Sequence, residues 1–302
     1  MKPPVMGKPG HRAGFVNILG NPNVGKSTLM NALVGKRISI ITAKAQTTRH
    51  RILGILNGAD FQLVLSDTPG IIRKPAYRMQ EAMMDFVKSA LVDADQILYV
   101  AETGEREVGD ESLYKKLEHT DVPLLVLLNK MDQSDPRTVE TQVAHWKARF
   151  PKAAILPIAA RHRLNTDWVL QWVLAHLPQS PPFFPKDISS DKPERFFVNE
   201  IVREKILRRY KREVPYAVEV ETRAFHETQS LIRIGTHIYV ERETQRGILI
   251  GRAGTALKSV GVQARADLQK FFGKKIYLEL YVAVNKDWRK KDDQLKRFGY
   301  TG

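Results

Sequence analysis

Short apolar runs alternate with longer amphipathic stretches through the first half of the chain. Two apolar runs, at residues 51–57 and 61–65, are separated by three turn-forming residues and predict a pair of strands. Further runs of strand length lie at residues 14–19, 96–101, 122–128 and 153–158. Helical periodicity is present between the runs, near residues 77–93, 110–119, 136–149 and 165–177. This alternation predicts an α/β domain with a doubly wound, mostly parallel sheet.

The pattern changes after a proline-rich stretch at residues 177–185, which interrupts regular structure. The elements predicted beyond it are an amphipathic helix at residues 200–207, a strand that includes Ala217, Val218 and Val220, a strand at 231–240, a helix at 255–272 and a cleanly alternating strand at 275–284. Because helices and strands no longer alternate one by one, the second half is predicted to be a compact α+β domain.

Four segments follow from these patterns. They are a flexible N-terminus at residues 1–12, an α/β domain at 13–178, a linker at 179–192 and an α+β domain with a C-terminal tail at 193–302. The first eleven residues are rich in proline, glycine and lysine and lack the apolar core of a signal peptide. The longest apolar runs, such as residues 122–128, are far too short to span a bilayer.

Composition adds two constraints. The 302 residues include no cysteine, which excludes a disulfide framework and a thiolate zinc site. The formal net charge is +15, and residues 191–302 hold 24 lysines and arginines against 15 acidic residues. The C-terminal third is therefore the more basic part per residue, which indicates an anionic partner.

A phosphate-binding loop follows the first predicted strand. Residues 20–27 match the pattern G-x-x-x-x-G-K-[ST] at every fixed position, and apolar residues at helical spacing come after them. The glycines let backbone N–H groups turn towards phosphate oxygens, Lys26 would reach the β- and γ-phosphates, and Ser27 would bind Mg²⁺. The predicted phosphate-binding residues are Gly20, Asn21, Pro22, Asn23, Val24, Gly25, Lys26, Ser27 and Thr28.

A second motif at the end of an apolar strand is typical of a switch that senses the γ-phosphate. It comprises Asp67, Thr68, Pro69 and Gly70, followed by Ile71. Asp67 would bind Mg²⁺ through water, and the Gly70 N–H would contact the γ-phosphate. Loss of that contact on hydrolysis would release the segment that follows, from residue 71 to about residue 77.

A third motif indicates which base is bound. It comprises Asn129, Lys130, Met131 and Asp132, again directly after an apolar strand. The Asp132 carboxylate can accept hydrogen bonds from N1 and N2 of guanine, whereas adenine offers no such donors. Lys130 would lie along the plane of the base. The sequence therefore predicts a site for GTP and GDP.

These motifs resemble the GTPase boxes of the Era family, and the resemblance is most particular at Gln46, Thr47, Thr48, Arg49 and His50. It implies that Thr48, rather than Thr47, closes over Mg²⁺ as part of switch I, at about residues 38–50. The fifth box would be Ala159, Ala160 and Arg161, where the usual serine is replaced. Since the guanine O6 contact comes from backbone N–H groups, specificity is expected to survive that replacement.

The resemblance also implies how hydrolysis would proceed. Ras-like GTPases orient water with a glutamine after the D-x-x-G motif, but Ile71 stands there in this chain. Intrinsic GTP hydrolysis should therefore be slow and stimulated by K⁺ or by a partner. Asn23 resembles the asparagine that helps related GTPases to bind K⁺, and this ion would neutralise developing charge on the phosphates.

The second domain resembles a type II KH domain, because an apolar run, a G-x-x-G turn, a helix and a strand follow each other in that order. The turn lets a nucleic-acid backbone approach closely, and such a domain clamps about four nucleotides. The predicted RNA-binding residues are Arg246, Ile248, Ile250, Gly251, Arg252, Ala253, Gly254 and Lys258.

A GTPase domain followed by a type II KH domain resembles the Era family over residues 13–300. This implies a factor for maturation of the small ribosomal subunit that binds near the 3′ end of its RNA when loaded with GTP and leaves after hydrolysis. The expected location is the cytoplasm, with peripheral contact at the inner membrane face, and we expect a monomer that does not bind DNA. Two alternatives remain: a constitutive RNA-binding protein with a regulatory GTP site, and a GTPase partner in RNA modification.

Overall fold

The computed structural model describes residues 10–300 of the chain. Most of the predicted flexible N-terminus, residues 1–9, lies outside them. His11 and Arg12, which were also predicted to be flexible, are instead fixed: the His11 ring bonds the Ser180 carbonyl at 2.8 Å and Arg12 begins the first strand. The described residues divide into two units, the first over residues 10–39, 48–76 and 80–191, and the second over 40–47, 77–79 and 192–300.

The described part of the first unit contains six strands and five helices of more than one turn. The strands are β1 (Arg12–Leu19), β2 (Ile52–Asn57), β3 (Phe61–Asp67), β4 (Gln96–Glu102), β5 (Leu124–Asn129) and β6 (Ala154–Pro157). The helices are α1 (Lys26–Val34), α2 (Arg78–Val92), α3 (Glu111–Glu118), α4 (Pro136–Arg149) and α5 (Thr166–His176), with the first two residues of α2 grouped with the second unit. The strand order is β2-β3-β1-β4-β5-β6, and only the β2–β3 pair is antiparallel. The predicted doubly wound, mostly parallel sheet is therefore confirmed.

The register of this sheet brings the ends of its strands together. Ile18 lies beside Asp67 in the β1–β3 pair, and Glu102 lies beside Asn129 in the β4–β5 pair. All six residues of β5 are buried, as expected for a parallel strand covered on both faces. Because the carboxyl ends of parallel strands meet at one edge, the loops after β1, β3, β4 and β5 converge there.

The predicted linker at residues 179–192 packs along the first unit. The amide of Gln62 is fully buried and holds this segment from both sides: Oε1 accepts from the N–H groups of Phe183 at 2.7 Å and Phe184 at 2.9 Å, while Nε2 donates to the Phe184 carbonyl at 2.8 Å. The chain enters the second unit only at Lys192. Most of the segment is therefore fixed rather than free to swing.

The second unit is an α+β arrangement. Its strands are β7 (Glu219–Glu227), β8 (Leu231–Val240) and β9 (Lys275–Val284), and its helices are α6 (Glu194–Arg209), α7 (Val214–Ala217), α8 (Glu243–Ile250), α9 (Thr255–Phe272) and α10 (Asp292–Arg297). The strand order is β7-β8-β9, with β7–β8 antiparallel and β8–β9 parallel. The order α6, β7, β8, α8, α9, β9 is that expected of a type II KH domain.

One local prediction about the second unit was wrong, and the structure assigns an element that the sequence left open. Ala217 ends the short helix α7 instead of starting a strand, because Pro215 favours the first turn of a helix and the Ala217 carbonyl accepts a hydrogen bond from Trp288 at 3.0 Å. The apolar run at residues 248–250 is the last turn of α8, where Leu249 alone is fully buried. Among residues 10–300, no helix combines the length and apolar character needed to cross a bilayer.

Trp288 is a test of how the C-terminal tail contributes to the second unit. Its side chain is fully buried and its ring meets that of Phe298 edge-on at 5.5 Å. We expect Trp288→Ala to lower the free energy of unfolding of this unit by about 3–5 kcal/mol, because a large buried ring and its hydrogen bond are lost. Urea denaturation followed by circular dichroism measures this. Val92→Ala, at a side chain 86% exposed, is the control, and equal stability of the two variants would contradict the assignment.

Candidate nucleotide site and nucleic-acid-binding turn

The phosphate-binding loop connects β1 to α1 and is closed on itself by Lys26. The Lys26 ammonium donates to the carbonyl of Gly20 at 3.0 Å and to that of Asn21 at 2.8 Å. Burial lowers the pKa of Lys26 to about 8, against the opposing effect of the Asp67 and Glu105 carboxylates. A phosphate beside this buried ammonium would favour its charged form, which suits the role predicted for Lys26.

Glycine is sterically required at three positions around the loop. A Cβ atom on Gly20 would lie 2.1 Å from the Val100 carbonyl oxygen, and one on Gly25 would lie 2.2 Å from Nδ2 of Asn129. Both residues also have positive φ angles, 149° and 101°. A Cβ atom on Gly70 would lie 2.7 Å from the Cα atom of Pro22, so the D-x-P-G turn rests directly on the phosphate-binding loop.

Three oxygen-bearing side chains predicted to bind Mg²⁺ lie together. The Ser27 hydroxyl donates to Oδ2 of Asp67 at 2.7 Å, and the Thr48 hydroxyl lies 2.9 Å from that of Ser27. Burial raises the pKa of Asp67, and the hydrogen bond from Ser27 and the charge of Lys26 oppose that rise. The other carboxylate oxygen of Asp67 is buried and accepts no hydrogen bond from any of residues 10–300. This set of hard oxygen ligands fits Mg²⁺.

The two threonines of switch I occupy different surroundings. The Thr47 hydroxyl donates to the Lys44 carbonyl at 2.6 Å and shares a second hydrogen bond of 2.6 Å with Thr42. The Thr47 carbonyl accepts a hydrogen bond from the buried guanidinium of Arg203. Since the Thr47 hydroxyl is engaged within the second unit and the Thr48 hydroxyl faces Ser27, the geometry favours Thr48 as the metal ligand.

The other predicted switch I residues are also divided between the two units. Gln46 has a positive φ angle of 57° and accepts a hydrogen bond from Tyr77 at 3.3 Å within the second unit. Arg49 is buried in the first unit, where the ring of His50 lies 6.1 Å from that of Phe86. No pattern in the sequence indicated that switch I is divided between two units.

Asn129 braces the loops around the base. Its Nδ2 donates to the Val24 carbonyl at 2.7 Å, and its Oδ1 accepts from the N–H of Ala160 at 3.0 Å. The side chain thus joins the phosphate-binding loop to the fifth box, a role beyond its place in the N-K-x-D pattern. The N–H of Ala159 donates to the Leu164 carbonyl, and that of Ala160 donates to Asn129. Both groups therefore already have acceptors within the protein, whereas the sequence predicted that backbone N–H groups here would contact guanine O6. Arg161, which follows in the same turn, is exposed.

The remaining specificity residues lie at the surface of this site. The ammonium of Lys130, a residue with a positive φ angle of 65°, pairs with the Glu102 carboxylate. Oδ2 of Asp132 lies 3.5 Å from Nε2 of His162, a neighbour that the sequence did not single out. Met131 follows in a short turn with its N–H bonded to the Ile158 carbonyl at 3.2 Å.

The residue after the D-x-P-G motif turns inwards. The side chain of Ile71 is 3% exposed and belongs to the apolar core that includes Met84 and Val108. Its N–H donates to the Gly20 carbonyl at 3.2 Å. A buried isoleucine can neither donate nor accept a hydrogen bond, so the chain provides no water-orienting side chain at this position. Asn23 is exposed with a φ angle of 65°, a geometry that a turn-forming asparagine also adopts.

Sequence reasoning missed Glu105, which lies in the loop after β4. Its Oε1 accepts a hydrogen bond from Nδ2 of Asn21 at 2.6 Å and one from the Tyr99 hydroxyl at 3.3 Å. Burial raises the pKa of Glu105 from its ordinary 4.5 to about 7. No motif marks this carboxyl, because its position beside the phosphate-binding loop depends on the packing of β4 against β1.

The G-x-x-G turn of the second unit joins α8 to α9, and its two glycines differ. Gly251 has a φ angle of 73°, and a Cβ atom there would lie 2.5 Å from that of Ala256. Gly254 has a φ angle of 74°, and the space around its Cβ position is open to 4 Å. Packing therefore requires glycine at 251, whereas Gly254 leaves room for another backbone to approach. Ala253, between them, has a φ angle of 47°.

A groove of about 370 Å³ begins at this turn. Its lining includes Gly254, Leu257, Lys258, Gly261, Arg265 and Leu280. Two predicted RNA-binding residues are therefore in the groove, and Arg265 is an addition that helical spacing from Lys258 could have suggested. The other predicted residues surround the turn: Ile248 is 51% exposed, Ile250 half-buried, Arg252 exposed, and Arg246 pairs with Glu243 at 3.2 Å.

Comparisons with known proteins cover both units. Residues 15–130 match the family model described as a 50S ribosome-binding GTPase, and residues 213–289 match the KH domain model. GTPase Era of Staphylococcus epidermidis is 40% identical over 293 residues, which cover 96% of this chain and 98% of that protein. The chloroplastic GTPase ERA1 of Zea mays is 42% identical over 297 residues, which cover 97% and 71%.

Two solved structures are similar over nearly the whole chain. One is Era in complex with MgGDPNP and nucleotides 1506–1542 of 16S ribosomal RNA, with a TM-score of 0.92, 35% identity and coverage of 97% of this chain and 100% of that one. The other is a variant of Aquifex aeolicus Era bound to GDP and AlF4⁻, also with a TM-score of 0.92 and 35% identity, covering 96% and 100%.

The raised pKa of Glu105 makes stability depend on pH. The folded state binds this proton more tightly than the unfolded state, so the stabilisation is complete below about pH 4.5 and is lost as pH rises through about 7. Between pH 5 and 7.5 we expect the nucleotide-free protein to lose about 1–3 kcal/mol of unfolding free energy relative to Glu105→Gln. Urea denaturation at the two values measures this. Glu107→Gln, at an exposed side chain, should behave as wild type, and parallel pH profiles for all three would refute the prediction.

Proposed function

Since the chain belongs to the Era family of GTPases, we propose that it is a GTP-binding and GTP-hydrolysing switch that binds small-subunit ribosomal RNA near its 3′ end and acts in maturation of the small ribosomal subunit. The single observation that carries this proposal is the match of the whole chain, both units included, to Era solved with MgGDPNP and 16S ribosomal RNA. The family model whose description names the 50S ribosome covers the GTPase residues alone. The small subunit is therefore the better-supported partner.

The nucleotide site supports the roles proposed for its residues. Lys26 would hold the phosphates, the N–H of Gly70 would report the γ-phosphate, and Asp132 would orient guanine. Ser27, Thr48 and Asp67 would hold Mg²⁺, which neutralises phosphate charge when bound. With Ile71 buried, the chain supplies no side chain there to orient water, so hydrolysis is proposed to be slow. Stimulation by K⁺ at Asn23 or by a partner stays a prediction.

The contacts of switch I support a coupling between nucleotide and RNA. Residues 40–47 are grouped with the second unit, where Lys44 donates to the carbonyls of Leu207 and Tyr210 at the end of α6. α6 also packs on α9, the helix that follows the G-x-x-G turn. If GTP and Mg²⁺ fix Thr48, the neighbouring segment and α6 are constrained with it. We therefore propose that the GTP state binds RNA more tightly than the GDP state.

Neither alternative function is favoured by a specific observation. The absence of cysteine counts against a partner in RNA modification that relies on catalytic cysteines. The clustered Ser27, Thr48 and Asp67 side chains count against a degenerate nucleotide site. We propose a cytoplasmic location, while peripheral contact with the inner membrane face, a monomeric state and the absence of DNA binding stay predictions.

Replacement of Asp132 tests the nucleotide proposed for the site. Asp132→Asn should lower GTP affinity about 100-fold or more, because the donors of guanine N1 and N2 lose their acceptor. The same variant should gain affinity for xanthosine triphosphate, whose extra carbonyl can accept from the asparagine amide. Titration with fluorescent nucleotides measures both affinities. Asp135→Asn, at the N-cap of α4, is the matched control, and wild-type GTP affinity in Asp132→Asn would contradict the assignment.

Replacement of Gly254 tests the RNA target. Crosslinking in cells should recover the 3′ end of 16S ribosomal RNA with the wild-type chain and at least 10-fold less with Gly254→Asp, because a carboxylate there would repel the approaching phosphates. Gly273→Asp is the matched control: its φ angle of 66° and open Cβ position give the same backbone strain away from the turn. Equal recovery with both variants, or recovery of unrelated RNA, would overturn the proposal.

A further inference from the structure

The sheet of the second unit leaves one face open. Along β9, Leu278, Leu280 and Val282 pack against the apolar core. Tyr277 and Tyr281 alternate with them and therefore point to the opposite face, where their side chains are 53% and 48% exposed. Two large aromatic side chains on an exposed strand face contribute little to the core, which raises the question of what they contact.

The open face forms a row of rings beside a shallow concavity. His237 of β8 lies opposite Tyr281 in the register, with ring centroids 5.2 Å apart. Burial and the nearby Arg223 lower the pKa of His237, against the opposing effect of Glu221, which favours the neutral ring. The concavity has a volume of about 810 Å³. Its lining includes Ala224, His226, Arg233, Gly235, Tyr277 and Glu279.

Small residues form the floor of this concavity. Ala224 and Gly235 face each other across β7 and β8, and a Cβ atom on Gly235 would lie 3.3 Å from that of Ala224. Gly235 also lies opposite Glu279 of β9 in the register. The floor therefore carries no large side chain at Ala224 and Gly235, beside the paired Arg233 and Tyr277, and leaves room for a planar group.

The charge of the open face suits a polyanion. Arg233 and Lys275 make no ion pair with any of residues 10–300. Three carboxylates of the described chain lie on this face: Glu221 pairs with Arg297, Glu219 accepts from the Tyr300 hydroxyl at 2.6 Å, and Glu279 accepts from the Tyr277 hydroxyl at 3.2 Å. Because a neutral hydroxyl leaves Glu279 charged, the surplus of positive charge lies at the end of the face that carries Arg233 and Lys275.

The open face borders the groove at the G-x-x-G turn. β9 is the last strand in the order β7-β8-β9, so it forms an edge of the sheet. Leu278 and Leu280 of this strand line the groove with Gly254, whereas Tyr277 and Tyr281 lie on the open face. A flexible polymer that leaves the groove across this edge would meet the two tyrosines.

We propose that the open sheet face is a second surface for single-stranded RNA, on which bases beyond those in the groove stack on Tyr277 and Tyr281. This inference rests on the proposed RNA-binding function and extends it to a further site. Two residues four positions apart on a strand are separated by roughly 13 Å, which leaves room for separate bases on the two rings. Arg233, opposite Tyr277 in the register, and Lys275, two positions before Tyr277, contact the phosphates next to the base on Tyr277.

RNA suits this surface better than a protein partner does. Exposed aromatic rings on a sheet bind bases without sequence preference, because every base has a flat face to stack. A protein partner would instead require a larger apolar patch, whereas the rings here are separated by Glu279 and Arg233 lies opposite Tyr277.

The test measures how RNA affinity of the full chain depends on RNA length and on the presence of the two tyrosine rings. The double variant Tyr277→Thr/Tyr281→Thr removes both rings but introduces β-branched side chains, which also favour a strand, and Tyr277→Phe/Tyr281→Phe keeps the rings. Affinity is measured for a five-nucleotide RNA that fills only the groove and for an RNA of 16S nucleotides 1506–1542. The threonine variant should bind the long RNA at least 10-fold more weakly than wild type, while the phenylalanine variant stays within two-fold.

The short RNA separates this inference from the proposed function. All three proteins should bind it equally, because the groove is unchanged. If the threonine variant binds the long RNA with wild-type affinity, the proposal of a second RNA surface is overturned. If that variant also loses a ribosomal protein from pull-downs, the open face is a protein-docking site instead. Failure of the wild-type chain to bind either RNA overturns the proposed function itself. Equal melting temperatures of the three proteins exclude unfolding as the cause.

Discussion

The peptide bond between Thr47 and Thr48 joins the two halves of switch I, and the proposed coupling between nucleotide and RNA depends on it. Its carbonyl accepts a hydrogen bond from Arg203 within the second unit, and the residue on its other side places a hydroxyl 2.9 Å from Ser27 within the first. Each half of switch I is thus held by different partners, although the two halves are covalently continuous. A ligand that repositions Thr48 must act on the segment that ends at Thr47, and the effect is reciprocal.

The nucleotide site is itself a set of interlocked loops. Gly25 has no room for a side chain because Asn129 lies against it, and Asn129 in turn binds the loop that carries Ala160. Gly70 rests on Pro22 in the same way. Because these loops meet at the carboxyl edge of one sheet, a change at the phosphates is transmitted to the base-binding loops by contact. The buried oxygen of Asp67 adds an electrostatic reason for this site to bind a cation.

Local patterns in the sequence predicted a large part of this structure. The bounds of α9 and β9 were predicted to the residue, since glycines flank the helix and the strand alternates without interruption. The phosphate-binding loop was predicted as clearly, because its flanking strand and helix are each visible in the sequence. Short elements were harder: α7 forms because Trp288, far along the chain, bonds its last residue.

Features that depend on contacts between distant segments could not be predicted. Glu105 lies beside Asn21 because β4 packs against β1, and no motif marks a carboxyl in that loop. The division of switch I between two units likewise depends on Arg203, a residue that helical periodicity marked only as part of an amphipathic helix. The open face of the second sheet is a third case, since alternation in β9 indicates two faces but not which neighbours leave one of them uncovered.

Whether the nucleotide controls RNA binding can be measured by comparing the RNA affinity of the GDP-bound protein with that of the protein bound to a non-hydrolysable GTP analogue. With Mg²⁺ present and the RNA held constant, we expect at least five-fold tighter binding in the GTP-analogue state, the range expected when a coupling free energy exceeds about 1 kcal/mol. Identical affinities in the two states would contradict it. The chain would then contain a GTPase and an RNA-binding domain that act independently.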